Sequence, residues 1–181
     1  MNKFMKYLIV LAHPSQNGFS RKIAESINSK LKNDDNEVYF MDLYNPQWQQ
    51  DFLVFEDSKN IELDEKTKEI QKKILWADEL IFCYPNWWTS MPAILKNFID
   101  KNFTRGFAFQ YSNNGRPEGL LKGKTAKVYT TADTPGLFMF FITPFFRFPF
   151  CKGTLGFSGI KVKTFEIVPA LHQKTEEDKK N

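Results

Sequence analysis

Residues 7–20 read YLIVLAHPSQNGFS. Tyr7 to Ala12 is an unbroken apolar run rich in branched side chains, the pattern of a strand covered on both faces of a parallel sheet. The polar turn HPSQNG follows, and Phe19, Ile23, Ile27 and Leu31 then recur at helical spacing. Asn17 or Ser20 is available as the N-cap of that helix. Strand, polar loop and helix in this order make Tyr7–Ala12 a central strand, with the loop at its carboxyl end.

Working outward, Glu37–Asp42 (EVYFMD) reads as a second strand. The stretch 45–63, with Pro46 and Trp48, is irregular and has no assigned role. A helix over Glu65–Trp76 leads into Glu79–Tyr84 (ELIFCY), an apolar strand that stops at Pro85. The next helix opens near Ser90 and Met91 with Pro92 in its first turn, and Ala93, Leu95, Phe98, Ile99 and Phe103 supply its buried face. Lys124–Thr131 makes a fourth strand, and Ile160–Val168 alternates like a fifth at a sheet edge. Alternating strands and helices imply an α/β, doubly wound sheet with helices on both faces. One domain is expected over 1–171, followed by a mobile polar tail over 172–181. Ligands of such sheets bind outside the carboxyl ends of the strands, so the loops 13–18, 85–90 and 132–136 carry the functional expectation.

Composition narrows the classes. The chain has 181 residues, 42% of them hydrophobic and 16% aromatic, with nineteen Phe, enough for one well-packed core and an apolar pocket or contact besides. A net charge of +4, with cations and anions interleaved, gives no basic stripe for nucleic acid. Cys83 and Cys151 stand in no metal or redox spacing and read as unpaired core thiols of a reducing compartment. Nor is any metal site expected. The amino terminus lacks a cleavage signature, and the apolar run Leu137–Phe150 is broken by Pro144, Arg147 and Pro149 and is too short to span a bilayer. These features predict a cytoplasmic protein without a transmembrane segment.

The loops hint at the chemistry. After the first strand there is neither GxGxxG nor the GK[ST] of a P-loop, which argues against direct dinucleotide binding and against nucleotide hydrolysis. Backbone N–H groups at the helix start and the hydroxyls of Ser15 and Ser20 remain able to hold a phosphate. The loop Pro85-Asn86-Trp87-Trp88-Thr89-Ser90 places two indoles at a strand end, an arrangement suited to a planar heteroaromatic ring, although one of them could simply plug the gap between sheet and helix.

Together, HPSQNGFS, WADELIFCYPNWWTSMPAILKNFIDKNF and GFAF at 106–109 resemble the flavodoxin-like NAD(P)H:quinone oxidoreductase family over about Lys6–Phe109, with a weaker likeness through TTADTPG and GTLGFSGIKV. The resemblance implies a five-stranded parallel sheet in the order 2-1-3-4-5. It also implies a bound flavin that takes hydride from NAD(P)H and passes it to a quinone or similar acceptor, by two-step exchange at one site. By similarity, His13, Asn17, Gly18, Phe19 and Ser20 would hold the phosphate and ribityl side. Pro85, Asn86, Trp87 and Trp88 would flank the isoalloxazine, and Thr130, Thr131, Ala132 and Asp133 would approach its pyrimidine end, with backbone N–H groups of 131–133 facing the charge that develops there. Dimers with the active site at the interface are a further implication.

The sequence also departs from the family pattern. After the fourth strand, TTADTPGLFMFFITPFF lacks the Gly pair, Tyr and His of members that use FAD, and the chain stops near the fifth strand. FMN is therefore expected over FAD, with no named side chain to deliver a proton. His13 reads either as a general acid or as support for the loop. The run 137–150 reads as lid, subunit contact or core. Lys96 and Asp100 fit an exposed i,i+4 ion pair, while Arg105 and Arg116 are candidates to meet a nucleotide phosphate. Two other functions share the fold: a flavodoxin-type electron carrier, against which the histidine-proline loop and positive charge argue, and a flavoprotein regulatory subunit of a potassium efflux system.

Overall fold

The computed structural model describes residues 4–57, 61–133 and 136–168, without the side chains of 136–139. The expected tail at 172–181 lies outside the described residues. In chain order the elements are β1 (Lys6–Leu11), α1 (Phe19–Asn33), β2 (Glu37–Asp42), α2 (Glu65–Trp76), β3 (Glu79–Pro85), α3 (Ala93–Asn102), the short β4 (Phe109–Tyr111) and β5 (Pro117–Gly119), β6 (Thr125–Thr131), α4 (Gly136–Phe148), a π-helix (Pro149–Gly156) and β7 (Lys161–Val168). The sheet is parallel throughout, in the order β2-β1-β3-β6-β7. Without the small β4–β5 hairpin this is the expected 2-1-3-4-5.

Strand alternation divides the core in two. Tyr7, Ile9, Leu11, Ile81 and Cys83 face α1, where Ala24 and the partly buried Ile23, Ile27 and Leu31 meet them. Leu8, Val10, Leu80, Phe82, Tyr84 and Val128 face the other way, onto α2, α3 and the π-helix. Every residue of β3 is buried, which accounts for its apolar run from Leu80 to Pro85. Cys83 and Cys151 are free and buried. No helix of the described residues is long and apolar enough to cross a membrane.

Several local expectations are corrected. Gly18 caps α1, in place of Asn17 or Ser20, and no side chain bonds to the first turn. β3 runs through Pro85, and α3 starts at Ala93 with Pro92 as its cap, because residues 87–90 are held in a turn of their own. The irregular stretch after β2 is a strap across the helices. Trp48 is buried edge-on to Tyr39, their ring centroids 5.7 Å apart. Gln50 donates to Thr67 Oγ1 at 2.9 Å, and it accepts from Asn102 Nδ2 (2.7 Å) at its side chain and from Asn97 Nδ2 (2.8 Å) at its carbonyl. The β4–β5 hairpin docks where β5 meets residues 158–159, and a Cβ at Gly119 would sit 2.4 Å from the Gly159 nitrogen. Only glycine fits there.

At the amino edge of the sheet, Glu79 is buried and receives Lys163 Nζ (2.8 Å), Lys127 Nζ (3.1 Å) and Thr125 Oγ1 (2.7 Å). Burial pushes its carboxyl up, but these donors outweigh burial and hold it below the ordinary carboxylate range. Asp64 is simpler. It caps α2 by accepting from Thr67 N at 2.6 Å and pairs with Lys101 at 2.8 Å, and the Lys101 hydrogen bond is the main reason its pKa falls to about 2. A depressed carboxylate pKa stabilises the fold above the unfolded value and loses that contribution as pH falls through the folded one. Asp64→Ala should therefore cost about 1 kcal/mol at pH 7, the usual worth of an N-cap. In urea titrations the gap from wild type should persist at pH 5 and close as pH drops from about 4 toward 2.

Candidate functional site

The carboxyl ends of β1, β3 and β6 are tied together. Ala12 N donates to Cys83 O (3.0 Å) and Asn86 N to Thr131 O (2.7 Å), so the backbone leaves all three strands in register. The hydroxyls of Ser20 and Thr131 bond across at 2.9 Å, fixing the start of α1 to the end of β6. Ser20 is 1% exposed. Its hydroxyl is thus turned into the sheet and away from the loop, where the sequence suggested phosphate contact, and its part is to fasten the helix.

The loop 13–18 is braced from inside. Ser15 N donates to His13 Nδ1 (3.1 Å), Asn17 N to Ser15 Oγ (3.2 Å) and Gly18 N to Ser15 O (3.3 Å). The imidazole lies against Gly18, where a Cβ would come within 1.9 Å of its Cε1. That packing requires a glycine and gives His13 a loop-supporting position. The sequence reading missed Arg21, which is 5% exposed, donates from Nε to Ser15 O (3.2 Å) and pairs with Asp42. Its signal was faint: a basic residue on the helical face otherwise taken by small and apolar side chains. Gly18 brings no side-chain cap; Arg21 N and Lys22 N both donate to Gly18 O at 3.1 Å, and the N–H groups of Phe19 and Ser20 are left to water or a ligand.

The second loop is strained. Trp87 and Ser90 exchange backbone hydrogen bonds of 2.9 and 3.0 Å around Trp88 (φ 54°) and Thr89 (φ 57°). Two left-handed residues in a two-residue turn ordinarily call for Asn-Gly. A Trp and a β-branched Thr there cost about 1–2 kcal/mol each. The turn lifts Trp88 to 98% exposure and leaves Trp87 half-exposed, so neither indole plugs the gap between sheet and helix. Below the turn lies a cavity of about 120 Å³ that includes Tyr84, Met91, Phe145 and Phe150 in its walls. Burial pushes the Tyr84 hydroxyl pKa up, which keeps it neutral.

Thr130, Thr131 and Ala132 are buried, whereas Asp133 is exposed. Ala132 N donates to Val168 O at 2.9 Å, which removes that N–H from the charge-stabilising role suggested by the sequence. Two polar atoms at this edge, Asn86 Oδ1 and Thr130 Oγ1, are buried without a hydrogen-bond partner. Arg105 stacks toward Tyr111 at 5.8 Å, and Lys96 pairs with exposed Asp100 at 2.6 Å. Among the described residues no group of His, Cys, Asp and Glu is arranged to hold a metal ion.

A parallel sheet in this order, with a braced phosphate-type loop after β1 and an aromatic turn after β3, defines a flavodoxin-like protein. The family model described as a flavodoxin-like fold matches residues 5–181. The chain belongs to the flavodoxin-like NAD(P)H:quinone oxidoreductase family. It is 31% identical to an uncharacterized NAD(P)H oxidoreductase of Haemophilus influenzae over 93% of this chain and 85% of that protein. A ribosyldihydronicotinamide dehydrogenase [quinone] of Pongo abelii is 30% identical over 97% of this chain and 86% of its own length. Among solved structures, Smu.1420 of Streptococcus mutans UA159 superposes with a TM-score of 0.85 at 31% identity, covering 97% of this chain and 93% of that one.

Ser20→Ala should lower stability by about 1–2 kcal/mol, because it leaves the buried Thr131 hydroxyl without its partner. In a double-mutant cycle with Thr131→Val, the double variant should lose less than the sum of the two single losses. Strict additivity by urea denaturation would show that the hydroxyls do not tie α1 to β6.

Proposed function

We propose that this oxidoreductase holds FMN along the carboxyl edge of β1, β3 and β6 and uses it to pass hydride from NAD(P)H to a quinone or similar small acceptor. The observation that carries this reading is the pairing of an uncapped α1 N-terminus with a strained turn that presents Trp88 on the same sheet edge. Strain of this kind persists where a ligand profits from it. The unpartnered Asn86 Oδ1 and Thr130 Oγ1 fit the same view, since a heteroaromatic edge brings donors that protein groups here do not.

In this reading His13, Asn17, Gly18 and Phe19 hold the phosphate and ribityl side, and Ser20, whose hydroxyl is tied to Thr131, contributes through its backbone N–H. The loop and first-turn N–H groups supply donors, with Arg21 as a nearby fixed positive charge. Pro85, Asn86, Trp87 and Trp88 flank the ring, and Thr130, Thr131, Ala132 and Asp133 border its pyrimidine end. When bound, the flavin supplies the hydride-accepting and hydride-returning ring. The chain's own work is to position that ring, shield one face with indole and leave the other open, so that nicotinamide and acceptor occupy it in turn. His13, with Nδ1 engaged by Ser15, orients the loop.

An open shelf of this form is completed by a second copy of the chain. Phe141 and Phe145 of α4 are 65% and 74% exposed, too apolar a patch to leave in water beside Trp88. A cytoplasmic homodimer with the active site at the interface is the corresponding assembly.

Protein reconstituted with FMN should show flavin absorbance and oxidise NADH or NADPH with menadione as acceptor. Trp88→Ala should weaken FMN binding about tenfold, close to the ~1.5 kcal/mol of an aromatic pair. Light scattering should give twice 21.2 kDa, and Phe141→Glu with Phe145→Glu should halve it. Absence of both flavin absorbance and NAD(P)H oxidation under these conditions would refute the assignment.

A further inference from the structure

We propose that the groove between α4, the π-helix and β7 is a second ligand site, which takes a soluble organic anion with an apolar body. The groove encloses about 750 Å³, within the range of ligand pockets. No residue of the loops 13–18, 86–90 or 130–133 lines it, so it is separate from the proposed flavin shelf.

The walls have two chemistries. Phe140, Phe148 and Phe165 supply an apolar floor, extended by Ile160 and Val162. Phe140 and Phe148 are 77% and 67% exposed, a costly state for rings that only solvent would cover. The same walls carry Arg147, Lys152, Lys161 and Lys163, and among the described residues no Asp or Glu lines the groove. Lys163 is balanced by Glu79 at 2.8 Å. Arg147 lies 5.5 Å from the centre of the Phe165 ring. Among the described residues none of Arg147, Lys152 and Lys161 joins an ion pair. Three cations that line one groove repel one another, and one anion relieves all of them at once.

The combination selects the ligand. Inorganic phosphate satisfies the cations but leaves the rings wet, and a neutral hydrocarbon covers the rings but leaves the cations unpaired. A carboxylate on an aliphatic or aromatic body does both. A concave groove favours a single free molecule over a flat bilayer surface, which would meet only the rim.

The test is calorimetric titration of the full-length protein, with and without FMN, using dodecanoate as the probe. One dodecanoate per chain is expected in both states, with dodecanol bound at least tenfold more weakly and inorganic phosphate not measurably bound. Lys152→Glu with Lys161→Glu should weaken dodecanoate at least tenfold while the circular dichroism spectrum stays unchanged. Should that variant misfold, the wild type alone decides, since 500 mM salt must weaken its binding relative to 50 mM. The proposal falls if dodecanol binds as well as dodecanoate, if charge reversal changes affinity less than twofold, if salt has no effect, or if only phosphatidylglycerol vesicles bind. Because the FMN-free arm contains no redox component, its result is independent of the oxidoreductase reading.

Discussion

Everything in this molecule follows from covering both faces of β1 and β3. A strand buried on each side has no polar side chains to spare, and its backbone is consumed by the ladders on its two flanks. Polarity is therefore driven to the strand ends. At the carboxyl ends it meets the start of a helix, with N–H groups that the helix itself cannot satisfy. A site at that edge is thus a by-product of the fold's own accounting of hydrogen bonds, and the sequence decides only what kind of site it becomes.

In the proposed reading it becomes a site by leaving things undone. Gly18 contributes no cap, Trp88 and Thr89 occupy a turn better suited to Asn-Gly, and Asn86 and Thr130 each bury an oxygen without a partner. Each omission costs stability, and similar omissions are absent from the cap of α2, where Asp64 accepts from Thr67. α1 and α3 both begin without a side-chain cap, and both begin at loops that carry the proposed site, whereas α2 is closed by Asp64.

Periodicity and apolar runs made the five strands of the main sheet and α1, α2 and α3 legible, because burial on one or two faces leaves its period in the sequence. Tyr7–Ala12 and Glu79–Tyr84 needed no context. The strap at 45–57 was not legible, since its role rests on Gln50 reaching Thr67, Asn97 and Asn102, contacts that no local pattern announces. Nor was the π-helix, where Phe157 N returns to Lys152 O at 3.0 Å in an i−5 bond that shares its composition with any apolar helix. At the site, the tryptophan pair stood out by residue type alone. Arg21 and the inward turn of Ser20 did not, because both depend on partners far along the chain, Asp42 and Thr131.

The two edges of the sheet complete the argument. At the amino edge, Glu79 is buried yet fully engaged by two lysines and a threonine, a closed network that gives a ligand nothing to bind. At the carboxyl edge the charge pair of Arg21 with Asp42 sits behind the loop, and the exposed indoles and backbone N–H groups stand in front of it. A dianionic phosphate gains most from donors that are fixed and uncompensated, and a flat ring gains most from an aromatic face already held in place. Rigidity thus comes from the far edge and from the hydroxyl tie between Ser20 and Thr131. The near edge keeps Asn86 Oδ1 and Thr130 Oγ1 unpaired, and in the proposed reading that division lets a thin parallel sheet serve at once as scaffold and as binding shelf.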